Sequence, residues 1–247
     1  MALPNTTSLT VVIPAKNEES YLPKLLASLK RQTVQPEAVI VADAQSTDKT
    51  REIAKQFGAM VVEGAMPGVG RNRGAAVATS SLILFLDADV ELTDATFIER
   101  ALKEMEKRGL DAATCEIEPM EAGKVDKFMY GAYNRYTKAL QHVFAHAPGF
   151  CIFARRAIHE QIGGFDESIT FCEDHDYVQR AAKVGRFGIL NVRIPVSIRR
   201  SKRDGRLQVA CKYVLAELHL VTVGPIRHNF FHYTFGHEKK DEVVKKG

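Results

Sequence analysis

Cysteine is sparse in this chain of 247 residues, and the four that occur, Cys115, Cys151, Cys172 and Cys211, stand far apart. With no CxxC pair and no Cys/His zinc spacing, a disulfide-stapled module and a zinc ribbon are both excluded, and buried, reduced thiols of a cytosolic protein are expected. Long apolar runs are missing too. No window approaches the roughly 18 uninterrupted apolar residues of a spanning helix, and the opening "MALPNTTSLT" has neither a basic n-region nor an apolar h-region. The expected location is therefore cytoplasmic. Neither sign of charge dominates: a formal net charge of +4 does not select nucleic acid, so no such partner is expected and any basic surface is local. One basic cluster is "RRSKRDGR", residues 199–206. No repeat or low-complexity linker divides the chain. At 45% hydrophobic it can bury one full core, so a single domain over residues 1–223 is expected, with 224–247 as a tail.

What is present is an alternation of short β-rich runs and helical patterns. "LTVVIP" precedes "EESYLPKLLASLKRQ", "EAVIVAD" precedes "STDKTREIAKQFG", "AMVVEG" precedes "GVGRNRGAAVATS", and "LILFLD" precedes "TDATFIERALKEMEKRG". This predicts an α/β fold with a mostly parallel sheet flanked by helices. Ser46, Thr47 or Asp48 is expected to cap the second helix and Thr93 or Asp94 the fourth, with Gly58 and Gly109 as stops. Further on, "LDAATCEIEP", "GFCIFAR" and "RFGILNVRI" read as strands, and "GKVDKFMYGAYNRYTKALQHVF" and "CEDHDYVQRAAKVG" as helices. "LQVACKYVLAELHLVTV" reads as a C-terminal amphipathic helix.

In open α/β sheets ligands bind beyond the carboxyl ends of the strands, and those positions here are polar. The first strand ends in "PAKNEE", the second in Asp43 with "AQSTD", and the fourth in Asp87-Ala88-Asp89. Carboxylates brought to one crevice repel one another unless a cation or hydrogen-bond donors neutralise them. Asp87 and Asp89, two apart on a turn, can present hard oxygens to Mg2+ or Mn2+; the same pair could simply turn the chain. "GVGRNRG" has GxGxxxG spacing and follows the third strand, unlike a nicotinamide fingerprint. Its glycines would let the backbone approach a phosphate or ribose, with Arg71 adding a charged hydrogen bond; the alternative is a glycine-rich helix entry with Arg71 in solvent. "CEDHDY" gathers Glu173, Asp174 and Asp176 at a helix start, where they can cap the helix or supply a general base. His175 among them could ligate a metal or be structural.

The order of these features resembles the family-2 glycosyltransferases of the GT-A fold. The resemblance rests on "TVVIPAKNEESYLPKLLASLKRQ", on "VIVADAQSTDKT" against "VVDDGSTDxT", on "GVGRNRGAA", on the DxD strand "ILFLDADVEL", and on "PGFCIFARRAIHEQIGGFDESITFCEDHDYVQRAAKVG". It spans residues 8–190 and implies a Rossmann-like nucleotide-binding half (about 8–110) and an acceptor half (about 111–223). It further implies a nucleotide-sugar donor, Mg2+ or Mn2+, and inversion at the anomeric carbon. Carried over by position, Pro14, Ala15 and Glu18 line the nucleotide pocket, Asp43 accepts from the base, and Arg71 meets donor phosphate or ribose. Asp87 serves ribose or metal, Asp89 ligates the metal, Asp174 is the base and Glu173 supports it. Gly149 belongs to the acceptor loop.

Two departures stand out. "DAQS" replaces "DDGS", which changes the polar pattern of the pocket at Ala44 and Gln45. Where many relatives carry a metal-binding His after the last strand, this chain has "PVSIRRSKRDGR", so Arg200 is expected to meet the diphosphate instead. The acceptor is expected to be a carbohydrate or a lipid-linked molecule. The basic loop and the C-terminal helix suggest a peripheral contact with an anionic membrane surface. A sugar nucleotidyltransferase would usually carry a glycine-rich basic loop after the first strand, which "PAKNEE" is not. A non-catalytic nucleotide-sugar binder is the remaining alternative.

Overall fold

A computed structural model describes residues 8–120, 122–198 and 205–228. β1 (Leu9–Ala15) and β4 (Leu82–Leu86) are buried along their whole length. That is the behaviour of interior parallel strands covered on both faces, and it explains why their sequences run apolar instead of alternating. Each Leu or Ile so buried contributes roughly 1.5–3 kcal/mol as an upper figure.

Among the described residues, seven strands form one sheet in the order β3-β2-β1-β4-β6-β5-β7. The remaining strands are β2 (Ala38–Asp43), β3 (Met60–Glu63), β5 (Ala112–Met120), β6 (Cys151–Arg155) and β7 (Phe187–Ser197). The β1–β2, β1–β4, β2–β3 and β5–β7 pairs are parallel, whereas β6 runs antiparallel between β4 and β5. Chain direction away from β1 reverses between β1 and β4, which opens a crevice at the carboxyl rim of those strands. Because β6 is antiparallel, its amino end, where Cys151 pairs with Leu86, lies at that same rim.

The helices are α1 (Leu22–Lys30), α2 (Thr50–Gln56), α3 (Pro67–Ala76), α4 (Phe97–Arg108), α5 (Lys124–Leu140), α6 (Arg156–Gln161), α7 (Glu173–Val184) and α8 (Arg206–Thr222). Two expected caps fall elsewhere. Asp48 Oδ1 accepts from the Thr50 amide at 2.9 Å and Asp94 Oδ1 from the Thr96 amide at 2.8 Å. These local turns delay α2 and α4 until Thr50 and Phe97. Gly109, with φ of 59°, ends α4 in the left-handed conformation as expected. α8 buries only Ala216, so most of its apolar side chains face outward.

Candidate active site

At the end of β2, Asp43 is fully buried. Its Oδ2 accepts from the Ser46 amide at 3.2 Å and from Arg51 Nη1 at 3.1 Å, while Oδ1 has no hydrogen-bond partner among the described residues. A buried carboxylate oxygen left in this state is costly, and an N–H donor entering from the crevice would satisfy it. Pro14 and Ala15 lie alongside Ala42 and Asp43 in register, and Glu18 is buried just beyond them.

The loops after β1 and β2 are laced together. Asn17 donates its amide to Ser46 Oγ (2.9 Å) and accepts from the Thr47 amide (2.9 Å). The Glu18 amide donates to Thr50 Oγ1 (2.8 Å), and the Glu19 amide to Asp48 Oδ2 (3.0 Å). "KNEE" and "STDKT" therefore form one rigid rim, an arrangement hidden from the linear sequence because each partner is about 30 residues away.

Arg71 is the hub of the crevice. Its side chain is 2% exposed, and it donates from Nη1 to Glu173 Oε1 at 2.7 Å, and from Nη2 to Asp87 Oδ1 at 2.8 Å and the Gly149 carbonyl at 3.0 Å. One planar fork thus joins α3, the end of β4, the loop before β6 and the start of α7. The two carboxylates and nearby Asp174 hold the guanidinium's proton more firmly than normal, despite burial. The sequence expectation placed Arg71 on the donor; in the structure its terminal nitrogens face these protein acceptors.

Burial pushes Asp174 up to about 6, against the pull of Arg71 and with a further push from Asp87. Its Oδ1 accepts from the His175 amide at 2.9 Å. Burial likewise raises Glu173, again opposed by Arg71. Gly149 is fitted closely against this pair: an added Cβ would sit 2.8 Å from Arg71 Nη2 and 3.0 Å from Asp174 Oδ2.

In "GVGRNRG", a Cβ at Gly74 would meet Val12 Cγ1 at 2.3 Å, and one at Gly70 would meet Pro14 Cβ at 3.3 Å and Ala42 Cβ at 3.5 Å. Gly70 and Gly74 bring α3 down onto β1 and β2. Asn72 completes the junction. It donates to the Phe165 carbonyl (2.9 Å) and accepts from the Phe165 amide (2.8 Å), holding the Gly163-Gly164 turn, whose φ values are 74° and 72°. Sequence reading did not single out Asn72; its signal was only adjacency to Arg71.

Beyond β4, Asp87 and Asp89 are partly exposed while Ala88 between them is buried. The turn thus presents both carboxylates to the rim and sends the methyl inward. Two hard oxygen ligands with access to solvent fit Mg2+ or Mn2+. Among the described residues, three that are not glycine have positive φ, namely Asn17 (54°), Gln45 (55°) and Cys172 (61°). They follow β1, follow β2 and precede α7, so the backbone strain gathers around this crevice. Arg200, and most of the basic cluster, lies outside the described residues. Arg206 within them is paired with buried Asp126 at 2.6 and 3.0 Å, tying α8 to α5.

Residues 10–163 match the family model described as "Glycosyl transferase family 2". The 4,4'-diaponeurosporenoate glycosyltransferase of Staphylococcus haemolyticus is 37% identical over 107 residues, covering 40% of this chain and 28% of the relative. That of Staphylococcus aureus is 34% identical over 113 residues, covering 42% and 30%. The chain thus matches less than a third of the length of these curated relatives. Among solved structures, a mannosyltransferase from Pyrobaculum calidifontis in complex with GDP-Man and Mn2+ superposes with a TM-score of 0.65 at 21% identity, covering 77% of this chain and 56% of that one. S. aureus TarS 1-349 in complex with UDP-GlcNAc gives 0.62 at 21% identity, covering 77% and 58%. These likenesses show the GT-A fold, and with more than half of its length in the family match, the chain belongs to glycosyl transferase family 2.

Proposed function

We propose that the protein is an inverting glycosyltransferase that moves a sugar from a nucleoside-diphosphate donor to an acceptor hydroxyl or phosphate, with Asp174 as general base. The observation that carries this reading is the placement of Asp174: it stands in the first turn of α7 against Gly149, where an added Cβ would sit 3.0 Å from its Oδ2, and beside the Arg71 fork that joins Glu173 to Asp87, and burial there pushes it up to about 6. At that value it is ionised at neutral pH and basic enough to take a proton as an acceptor hydroxyl attacks. The acceptor oxygen bonds to the anomeric carbon from the face opposite the leaving group. The sugar–phosphate bond breaks, and its electron pair leaves with the diphosphate. A single displacement needs no enzyme nucleophile and inverts the centre.

Asp43 Oδ1, buried and lacking a partner among the described residues, suits an N–H of the nucleobase. Asp89 and Asp87 are the residues to hold a divalent cation, which when bound offsets charge on the leaving diphosphate. Arg71 serves as a positioning residue that fixes Glu173 and the Asp174 turn against the loop at Gly149. Pro14, Ala15 and Glu18 form the nucleotide wall.

For the acceptor we favour a lipid-linked molecule reached from a membrane surface. Leu207, Val214, Leu215, Leu218 and Val221 of α8 are 55–78% exposed, and among the described residues no helix is long and apolar enough to cross a membrane. This suits a helix resting at a lipid interface. The curated relatives are named as 4,4'-diaponeurosporenoate glycosyltransferases. Flotation with anionic vesicles at low salt tests this part, and a protein left in the soluble fraction refutes it.

The donor reading is tested by a thermal-shift panel of nucleotide sugars with Mn2+. A donor at ~100 times its Kd adds about 2.7 kcal/mol of stability, so one nucleotide class should raise the midpoint clearly. A flat panel would contradict the proposal. Formation of a nucleotide sugar from a nucleoside triphosphate and a sugar phosphate would support a nucleotidyltransferase instead.

A further inference from the structure

His146, in the loop between α5 and β6, His175, in the first turn of α7 next to Asp174, and Glu217, on α8, converge on one another. One ligand atom from each lies within 4.8 Å of the other two. His146 and His175 are 1% and 8% exposed.

The hydrogen bonding there is incomplete in a way that asks for a cation. His146 Nδ1 lies 2.7 Å from the Phe144 carbonyl, and a carbonyl only accepts, so Nδ1 carries the proton. In the neutral ring Nε2 is then a lone pair, yet it faces Glu217 Oε1 at 2.6 Å. Two acceptors at that distance need a positive centre between or beside them. Protonating His146 would satisfy this pair alone. It would leave His175 Nδ1, which is buried, has no hydrogen-bond partner among the described residues and stands 4.0 Å from Glu217 Oε2. A metal ion would satisfy all three groups at once.

We propose that His146, His175 and Glu217 bind a transition-metal dication of the Zn2+ type, separate from the carboxylate pair at Asp87 and Asp89. Two imidazoles and one carboxylate are a ligand set that suits Zn2+ and its neighbours and is poor for Mg2+. Tetrahedral ligands about 2.1 Å from zinc stand about 3.4 Å apart, so on binding His146 Nε2, now 2.6 Å from Glu217 Oε1, would move outward and His175 Nδ1, now 4.0 Å from Oε2, would move inward. Tyr136 donates its hydroxyl to Glu217 Oε1 at 3.1 Å, the kind of outer contact that orients a ligating carboxylate. The ion would clamp α8 to the turn that begins with Glu173 and Asp174. Its binding does not depend on Asp174 being the base.

The test is to strip the full chain with a chelator, add Co2+ as a spectroscopic probe, and titrate Zn2+ in competition. One equivalent of Co2+ should give the intense visible absorption of a four-coordinate centre, and Zn2+ should displace it. His146→Gln and Glu217→Gln should weaken binding on the order of 100-fold, while Asp89→Ala should leave this signal unchanged. Circular dichroism checks that each variant folds. If the variants do not fold, the wild-type spectrum decides alone, because a weak, six-coordinate spectrum or no binding overturns the proposal. Equal affinity in folded ligand variants, or loss of the signal in Asp89→Ala, overturns it too.

Discussion

Replacing Asp174 by Asn should stabilise the protein at alkaline pH while removing its activity. Burial raises the Asp174 pKa from 3.8 to about 6, so keeping the group ionised works against folding. At 1.36 kcal/mol for each tenfold change in proton affinity, the rise from 3.8 to about 6 corresponds to ~3 kcal/mol. The sign follows from linkage. A folded-state value above the unfolded one means that the folded chain holds the proton more tightly, so this stability is fully present below about pH 4 and lost as pH rises through about 6. Asn mimics the protonated acid at every pH. It gives up one of the acceptor contacts to the His175 and Gly149 amides, at about 1 kcal/mol. Relative to wild type, Asp174→Asn should gain about 1–2 kcal/mol at pH 8 and lose ~1 kcal/mol near pH 4. Urea unfolding of both proteins at the two pH values measures this directly, and other titrating groups cancel in the difference. A mutational effect that stays constant within ~0.5 kcal/mol between these pH values would refute the reasoning.

Three further outcomes follow from the same geometry. Arg71→Met strands Glu173 and Asp87 without their shared cation and should cost about 3–5 kcal/mol, read from the urea midpoint; a loss below ~1 kcal/mol would show that the fork adds little. Gly149→Ala places a methyl 2.8 Å from Arg71 Nη2 and should destabilise by about 1–3 kcal/mol while lowering kcat; wild-type turnover would show that the loop yields freely. Gln45→Gly relieves a left-handed residue with φ of 55° and should gain about 0.5–1 kcal/mol after the entropy cost of glycine, whereas a loss would show that the glutamine side chain contributes to the fold.

The parts legible in the sequence were those written in local pattern. β4 could be read because five consecutive apolar residues end in two carboxylates, and the mostly parallel sheet followed from the alternation around it. The antiparallel course of β6 was not legible, because "GFCIFAR" states apolarity but not direction. Arg71 and Asn72 were harder still. Their partners Glu173 and Phe165 lie 102 and 93 residues away, so a motif that reads as a ligand loop turns out to clasp a second motif. Gly70 and Gly74 were legible only in part for a related reason: a glycine signals close approach, and only the fold shows that β1 and β2 approach it. Gln45 makes sense of the "DAQS" departure, since it holds a positive φ where "DDGS" has glycine. The pair formed by His146 and His175, 29 positions apart in unrelated motifs, gave no local signal as a pair.

Asp174 is proposed to draw the acceptor proton without being needed to hold the donor. Donor affinity and transfer rate, measured on wild type and Asp174→Asn with the nucleotide sugar chosen by the thermal-shift panel, test it in one comparison. In that role its replacement leaves the Kd unchanged within about threefold and lowers the transfer rate by about 10²–10⁴-fold. Transfer within about fivefold of wild type, with donor affinity intact, would contradict it.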